Sequence, residues 1–254
     1  DSPWVGIKNF TFLFRSPDSW IIIRNTILYN IVFIFLGTAF SVFIAILLNE
    51  CSRKWQKRYQ TLILIPHLLS YVVVSYIAYA FLGAENGMIN NQILRPLGLD
   101  PISFYTEDKY WPFILVFVNI WKTFGYSSII YFASIIGIDR TYYEAAEVDG
   151  ASAWTQIWSI TLPLLKPVLI TMLLLSVGRI LYSDFGLFYQ VPMDSGMLFN
   201  TTNTIDTFVY RGLLQTNDLG RAAAANFIQS VMGFFLVLGA NLIVRKVEKE
   251  YALF

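Results

Sequence analysis

Five long apolar segments restrict the fold of this chain more than any other feature of its sequence. They run over residues 21–49, 60–83, 111–138, 164–188 and 222–244. A helix of roughly 20 mostly apolar residues crosses the hydrocarbon core of a bilayer. Only 14% of the residues are charged, which is rare in a soluble domain of this length. The sequence therefore predicts an all-α, polytopic helical membrane protein with five visible spans.

We expect the spans to form a single transmembrane domain, residues 1–254, because no internal repeat, low-complexity tract or linker separates them. Basic residues predict its orientation. They cluster after the first apolar segment and after the last, at Arg53, Lys54, Lys57 and Arg58 and at Arg245, Lys246 and Lys249. Cytoplasmic flanks carry such an excess, so residues 139–163 are predicted to lie in the cytoplasm and residues 84–110 and 189–221 outside.

The polar loop between the third and fourth spans has a distinctive sequence, EAAEVDGASAWTQIWSITLPLLKP over residues 144–167. It predicts a short helix, a turn at Gly150, and a second short helix ended by Pro163. Small alanine side chains allow another surface to approach closely, and acidic side chains offer capping or ion-pair contacts. The loop therefore either docks into a groove of a soluble partner or is an ordinary helical hairpin between spans.

Three parts of this loop occur together at a specific spacing: E-A-A at 144–146, D-G-A at 149–151 and I-x-L-P at 160–163. This pattern resembles the EAA loop of ABC importer permeases, the membrane subunits of binding-protein-dependent transporters. The resemblance implies a type I transmembrane domain whose loop couples to an ATP-hydrolysing subunit. The coupling residues it implies are Glu144, Ala145, Ala146, Asp149 and Gly150.

The resemblance also implies an assembly. A second permease subunit, two ATP-binding subunits and an extracytoplasmic solute-binding protein would join this chain in a bacterial cytoplasmic membrane. ATP and Mg²⁺ would bind to the ATPase, and this chain would hold no cofactor. Such permeases usually start and end in the cytoplasm, whereas five spans put the two ends on opposite sides. Because the chain also begins at Asp1 without an initiator methionine, we expect at least one further span before Asp1.

Catalytic and metal-binding patterns are absent from the sequence. It contains one histidine, one cysteine, no phosphate-binding G-x-x-x-x-G-K-[ST] and no metal-ligand spacing, so we expect neither an enzyme nor a metalloprotein, and no nucleic-acid partner. An ion-coupled secondary transporter is the chief alternative, and it would need coupling acids and often inverted repeats. A membrane-embedded glycosyltransferase would need convergent acids or a metal site.

Polar residues within the spans are candidates for a substrate path, since they are costly in lipid. The third span contains VNIWKTFGY, which places four of them on one helical face: Asn119, Lys122, Thr123 and Tyr126. In the second span, His67 and Tyr71 lie one turn apart. Such residues either line a cavity or form hydrogen bonds between helices.

The VNIWKTFGY segment resembles the sugar-binding segment of maltose-type permeases. The resemblance implies that Asn119, Thr123 and Tyr126 contact the sugar, with His67 and Tyr71 as further polar contacts. This sequence has Lys122 in place of an apolar residue and Thr123 in place of a glycine, so a maltose-shaped pocket is not implied.

Three other runs resemble permeases for polysaccharide-derived oligosaccharides, including those that contain uronic acids. They are SDFGLFYQVP at 183–192, IDTFVYRGL at 205–213 and the ending VRKVEKEYALF. Lys122 and Arg179 fall near the central third of the bilayer by helical rise. Two cations there would suit an anionic sugar, or they would pair with Asp184 or with residues of a second subunit.

Overall fold

The computed structural model describes residues 6–15, 17–217 and 219–251, and within them the regular structure is helical, with no β-strand. The last three residues of the ending VRKVEKEYALF lie outside the described residues. The α-helices are α1 Lys8–Arg15, α2 Ser19–Glu50, α3 Arg53–Leu68, α4 Tyr71–Leu82, α5 Trp111–Ile136, α6 Arg140–Val148, α7 Ala153–Gln156, α8 Leu162–Gly178, α9 Phe199–Thr202, α10 Ile205–Thr216 and α11 Leu219–Val247. Short π- or 3₁₀-helical turns occur at Ile89–Leu94, Arg95–Leu97, Asp108–Tyr110, Ile157–Thr161, Gly186–Gln190, Gly196–Leu198 and Lys249–Tyr251.

Four helical stretches in the described part of the chain are long and apolar enough to cross a membrane. They are Ser19–Glu50, Asp108–Ile136, Ala153–Gly178 and Leu219–Lys246. The pair α3 and α4 makes a fifth if it is counted as one interrupted span. The all-α, polytopic membrane fold predicted from the sequence is therefore confirmed.

The second span differs from the prediction of one unbroken helix over 60–83, which is wrong. The helix stops at Leu68 and restarts at Tyr71. Ser70 lies between them in an extended conformation, and its hydroxyl accepts a hydrogen bond from the Val73 backbone N–H at 3.3 Å. A serine that caps the next helix from a non-helical backbone interrupts the first one, although the sequence around it stays apolar.

The fourth span is also shorter than predicted, because α8 ends at Gly178 instead of continuing to residue 188. Carboxamides from distant parts of the chain accommodate the non-helical backbone that follows. Asn30 donates to the carbonyl oxygens of Ile180 and Tyr182, at 2.9 Å each, and Gln229 donates to that of Leu181 at 2.7 Å. Backbone groups outside a helix need such partners where water is absent.

The described residues divide into two compact units. The first lies within Asp1–Val32, Leu69–Asn119 and Gly178–Phe235, and the second within Phe33–Leu68, Ile120–Val177 and Leu236–Phe254. In the first unit, Ile22 and Ile205 form a small buried cluster. In the second, the C-terminal half of α2 packs against α5 and α8 through a larger cluster: Val42, Ala45, Leu48, Tyr131, Phe132, Ile135 and Leu165.

Candidate functional site: the coupling loop and the polar faces of the spans

The predicted coupling loop begins with a capped helix. The Asp139 carboxylate accepts a hydrogen bond from the Thr141 backbone N–H at 3.0 Å and so caps α6. That hydrogen bond lowers the pKa of Asp139 below its ordinary value, because it favours the ionised carboxylate. Helix α6 then carries Glu144 and Ala145 on its exposed surface, with Ala146 half-buried.

The turn predicted at Gly150 is confirmed. Helix α6 ends at Val148, and the backbone N–H of the next residue, Asp149, donates to the Ala145 carbonyl at 3.1 Å. Gly150 follows with φ +77°, a left-handed conformation in which only glycine is free of strain. The chain therefore changes direction at the position that the sequence predicted.

The second half of the loop differs from the prediction that Pro163 ends a short helix. Helix α7 instead passes through the π-helical turn Ile157–Thr161 directly into α8, so that prediction is wrong. Pro163 is the second residue of α8, and proline is tolerated in the first turn of a helix. The Leu162 N–H before it bonds to the Ile157 carbonyl, the wider spacing of a π-turn. The loop therefore continues without a break into a span.

A side-chain contact joins the two halves of the loop. The hydroxyl groups of Tyr143 on α6 and Thr161 in the π-turn lie 2.9 Å apart. Apolar side chains on the loop are largely exposed, with Val148 at 88% and Trp154 at 68%. A cavity of about 590 Å³ lies between the loop and the chain segment that joins α2 to α3. This region therefore presents an exposed, partly apolar face.

Helices α3 and α5 meet closely within the second unit. The Lys122 ammonium donates to the carbonyl oxygens of Pro66 at 3.3 Å and His67 at 3.0 Å. The imidazole of His67 stacks on the ring of Tyr126, with centroids 4.8 Å apart and planes 12° from parallel. Gly125 packs against the carbonyl oxygen of Ile63. The structure thus brings together three residues that the sequence singled out: His67, Lys122 and Tyr126.

The remaining residues of the VNIWKTFGY face have separate surroundings. Asn119 is buried in the part of α5 that belongs to the first unit. Thr123 belongs to the second unit and lines a cavity of about 210 Å³ there. The polar residues of that lining all carry hydroxyl groups: Thr38, Thr123, Ser127, Tyr131 and Ser176. Hydroxyl groups both donate and accept hydrogen bonds, as sugar hydroxyls require of a partner.

Two further predicted substrate residues, Tyr71 and Arg179, lie in the first unit. The Tyr71 hydroxyl donates to the Asp184 carboxylate at 2.6 Å, and the Tyr71 ring packs against Gly186. Arg179 is exposed immediately after the end of α8. No carboxylate among the described residues pairs with it. The sequence suggested Asp184 as a partner for Arg179. In the structure Asp184 instead accepts a hydrogen bond from the Tyr71 hydroxyl group.

Sequence reasoning missed Asn30, Gln229 and Asp206, which hold the chain after α8. The Asp206 carboxylate accepts hydrogen bonds from the backbone N–H and the hydroxyl of Ser183, at 2.6 and 2.8 Å. Asn30 and Gln229 were detectable as amides inside apolar segments, and such amides mark hydrogen bonds between helices. Nothing in the sequence indicates that their partners are backbone carbonyl oxygens.

Comparison with known proteins decides the family. Residues 22–249 match the model of the binding-protein-dependent transport system inner membrane component family. The chain belongs to this family. The resemblance to ABC importer permeases, drawn from the coupling loop, is thereby confirmed, and the chain is a permease subunit, not an enzyme, by family.

The permease is similar to several sugar transport proteins along most of its length. It is 32% identical to a polygalacturonan/rhamnogalacturonan transport system permease protein of Bacillus subtilis, covering 98% of this chain and 77% of that protein. It is 29% identical to the lactose transport system permease protein of Rhizobium radiobacter, over 81% of this chain and 68% of that one.

A solved structure shares its fold. The permease superimposes with a TM-score of 0.89 and 32% identity on a chain of a bacterial ABC transporter involved in the import of the acidic polysaccharide alginate. The match covers 98% of this chain and 86% of that chain. A second structure of a bacterial alginate ABC transporter, in complex with an alginate pentasaccharide-bound periplasmic protein, gives a TM-score of 0.88.

Proposed function

We propose that the permease imports oligosaccharides, including uronic-acid-containing ones, across the bacterial cytoplasmic membrane. It acts as one of two membrane subunits of an ABC importer. A second permease subunit, in a heterodimer, completes the path, and an extracytoplasmic solute-binding protein delivers the sugar. Two ATP-binding subunits hold ATP and Mg²⁺, so this chain needs no cofactor.

The observation that carries the importer proposal is the coupling loop. Asp139 caps its first helix, and the chain turns at Gly150 after that helix. Tyr143 on the same helix contacts Thr161, in the π-turn that leads into α8. A movement of a docked subunit would therefore be transmitted through the π-turn to α8. Alternating access of this kind needs a rigid link between the partner and a span.

The substrate class is supported by the polar faces of the spans. The stacked His67 and Tyr126 rings present an aromatic surface, with Tyr126 53% exposed, and aromatic rings suit the apolar faces of sugars. The hydroxyl-lined cavity at Thr123 suits sugar hydroxyl groups. Relatives named for polygalacturonan and lactose transport support a saccharide in general.

An acidic sugar is supported by Arg179. Its exposed guanidinium lies where α8 gives way to non-helical backbone, and non-helical backbone at membrane depth is found where it lines a cavity or is buried in protein. Arginine binds carboxylates through paired hydrogen bonds. The resemblance to a transporter of the acidic polysaccharide alginate supports the same class.

The test is uptake by the complete complex in proteoliposomes, with the binding protein saturated. A galacturonic-acid oligosaccharide is compared with its methyl ester, which keeps the sugar skeleton but removes the charge. Arg179→Gln should reduce uptake of the acid by about fivefold relative to its ester, since a hydrogen bond to a charged group is worth about 1 kcal/mol more than a neutral one. Arg179→Lys is the matched control and should retain part of the preference.

Three different results would each contradict a different part of this proposal. Equal loss of both sugars in Arg179→Gln would remove the acidic substrate and leave the importer. Uptake driven by an ion gradient without ATP would favour the secondary transporter instead. Purification of this chain without ATP-binding subunits, under conditions that keep the membrane subunits paired, would contradict the assembly.

A further inference from the structure

The C-terminal end of α3 lies next to a buried cation. The last carbonyl groups of any helix lack a partner in the helix and carry partial negative charge. In α3 two of these carbonyl groups, on Pro66 and His67, accept hydrogen bonds from the Lys122 ammonium. Lys122 is only 7% exposed. An ammonium group has three N–H donors, and here at least two of them point at backbone oxygens.

The neighbouring contacts on α5 hold the same end of α3. Gly125 and Tyr126 follow Lys122 by three and four residues, so the three lie on one helical face. Gly125 meets the Ile63 carbonyl, one turn before the end of α3, and Tyr126 meets the His67 ring. The absence of a side chain at Gly125 lets the two backbones approach, which brings the Lys122 ammonium within reach of the carbonyl groups.

The His67 ring depends on this arrangement. The residue whose carbonyl accepts the shorter of the two Lys122 hydrogen bonds, at 3.0 Å, is the one whose ring stacks on Tyr126. The backbone of His67 lies in the last turn of α3, which ends at Leu68. Without a partner, the terminal carbonyl groups would favour fraying, because an unpaired carbonyl is costly away from water. Fraying would displace the ring from Tyr126.

We propose that Lys122 is a positioning residue that caps α3 and holds the His67 and Tyr126 rings together as a sugar-stacking surface. Its charge is directed at the protein backbone and is not the group that selects an acidic sugar. Half-helix ends in transporters bind cations from solution; here the chain supplies its own cation. The sugar-stacking part rests on the proposed function, whereas the cap does not.

The transport test compares Lys122→Met, Lys122→Gln and Lys122→Arg in the complete complex. Lys122→Met should reduce uptake of the acidic oligosaccharide and of its methyl ester by the same factor, about tenfold. Lys122→Arg, which keeps the charge and the donors, should restore most of it. In a Tyr126→Ala background, Lys122→Met should cause little further loss, because residues acting through one contact are not additive. A loss confined to the acidic sugar, or full additivity with Tyr126→Ala, would overturn the positioning role.

A second measurement needs no substrate. Backbone hydrogen exchange in the last turn of α3, residues 64–68, should be faster in Lys122→Met than in the unsubstituted complex, and unchanged in Lys122→Arg. If Lys122→Met fails to assemble, Lys122→Gln, which donates without charge, should show an intermediate rate. Unchanged exchange in the variants that lack the charge would overturn the cap. If the unsubstituted complex transports neither sugar, the proposed function fails while exchange still decides the cap.

Discussion

Gly125 on α5 packs so closely against the carbonyl oxygen of Ile63 on α3 that a methyl group at position 125 would occupy the space of that oxygen. The obstructing atom belongs to the backbone, so no side-chain rotation relieves the overlap. Glycine is therefore required here by the approach of two helices, not by a turn. Lys122 and Tyr126 lie on the same face of α5 and rely on that approach for their own contacts.

Gly125→Ala should destabilise the permease, because α5 and α3 must separate to admit the methyl group. We expect a loss of about 1–3 kcal/mol, the range for overpacking a tight site, and a parallel loss of uptake. Gly37→Ala on α2 is the matched control: its added carbon meets no atom within 4 Å, so its stability should be unchanged or slightly higher. Thermal unfolding of the detergent-solubilised complex measures both. Equal melting temperatures for the two variants would contradict the close approach.

Gly150 should tolerate neither alanine nor proline, although there is room for a side chain around it. Alanine at φ +77° costs about 1–2 kcal/mol, and proline cannot adopt a positive φ and removes the N–H that donates to Glu147. Proline should therefore displace α6 and release the ATP-binding subunits, with alanine intermediate. Gly137→Ala, where φ is not positive, should retain them. Co-purified ATPase activity is the measurement, and its full recovery with Gly150→Pro would remove the docking role.

Asp139→Ala should loosen the first turn of α6, because the Thr141 N–H loses its acceptor. Asp139→Asn keeps an acceptor oxygen and should resemble the original chain at neutral pH. The lowered pKa of Asp139 sets the direction of the pH effect. The cap is fully present above the ordinary pKa of the carboxyl group and is lost as the pH falls through the lowered one. Hydrogen exchange of α6 at acidic and neutral pH should therefore change less in Asp139→Asn than in the original chain.

Thiol labelling should confirm the orientation predicted from the basic clusters. In a Cys51→Ala background, a cysteine at exposed Ser152 should react with a membrane-impermeant reagent only after the cells are opened. A cysteine at Met197, which is 66% exposed, should react in intact spheroplasts. The reverse pattern would overturn both the orientation and the cytoplasmic placement of the coupling loop.

Local signals in the sequence account for what was predicted correctly. Helix formation in the spans follows from apolar length alone, because lipid offers the backbone no other hydrogen-bond partner. The turn after α6 follows from Gly150 itself, whose conformation depends on the lack of a side chain at that residue. Both kinds of signal are contained within about 20 neighbouring residues, so no knowledge of the folded chain is needed to read them.

The points where helices stop were decided by the tertiary structure. The amide of Asn30 reaches the carbonyl groups after α8 from 150 and 152 residues away in sequence, and the ammonium of Lys122 reaches the end of α3 from 55 residues away. An apolar sequence is equally compatible with a continuous helix and with an interrupted one. The interruption is stable only where folded neighbours satisfy the freed backbone groups. The sequence thus determined that this chain spans a membrane and turns at Gly150, while packing between distant segments decided where its spans break and what Lys122 contacts.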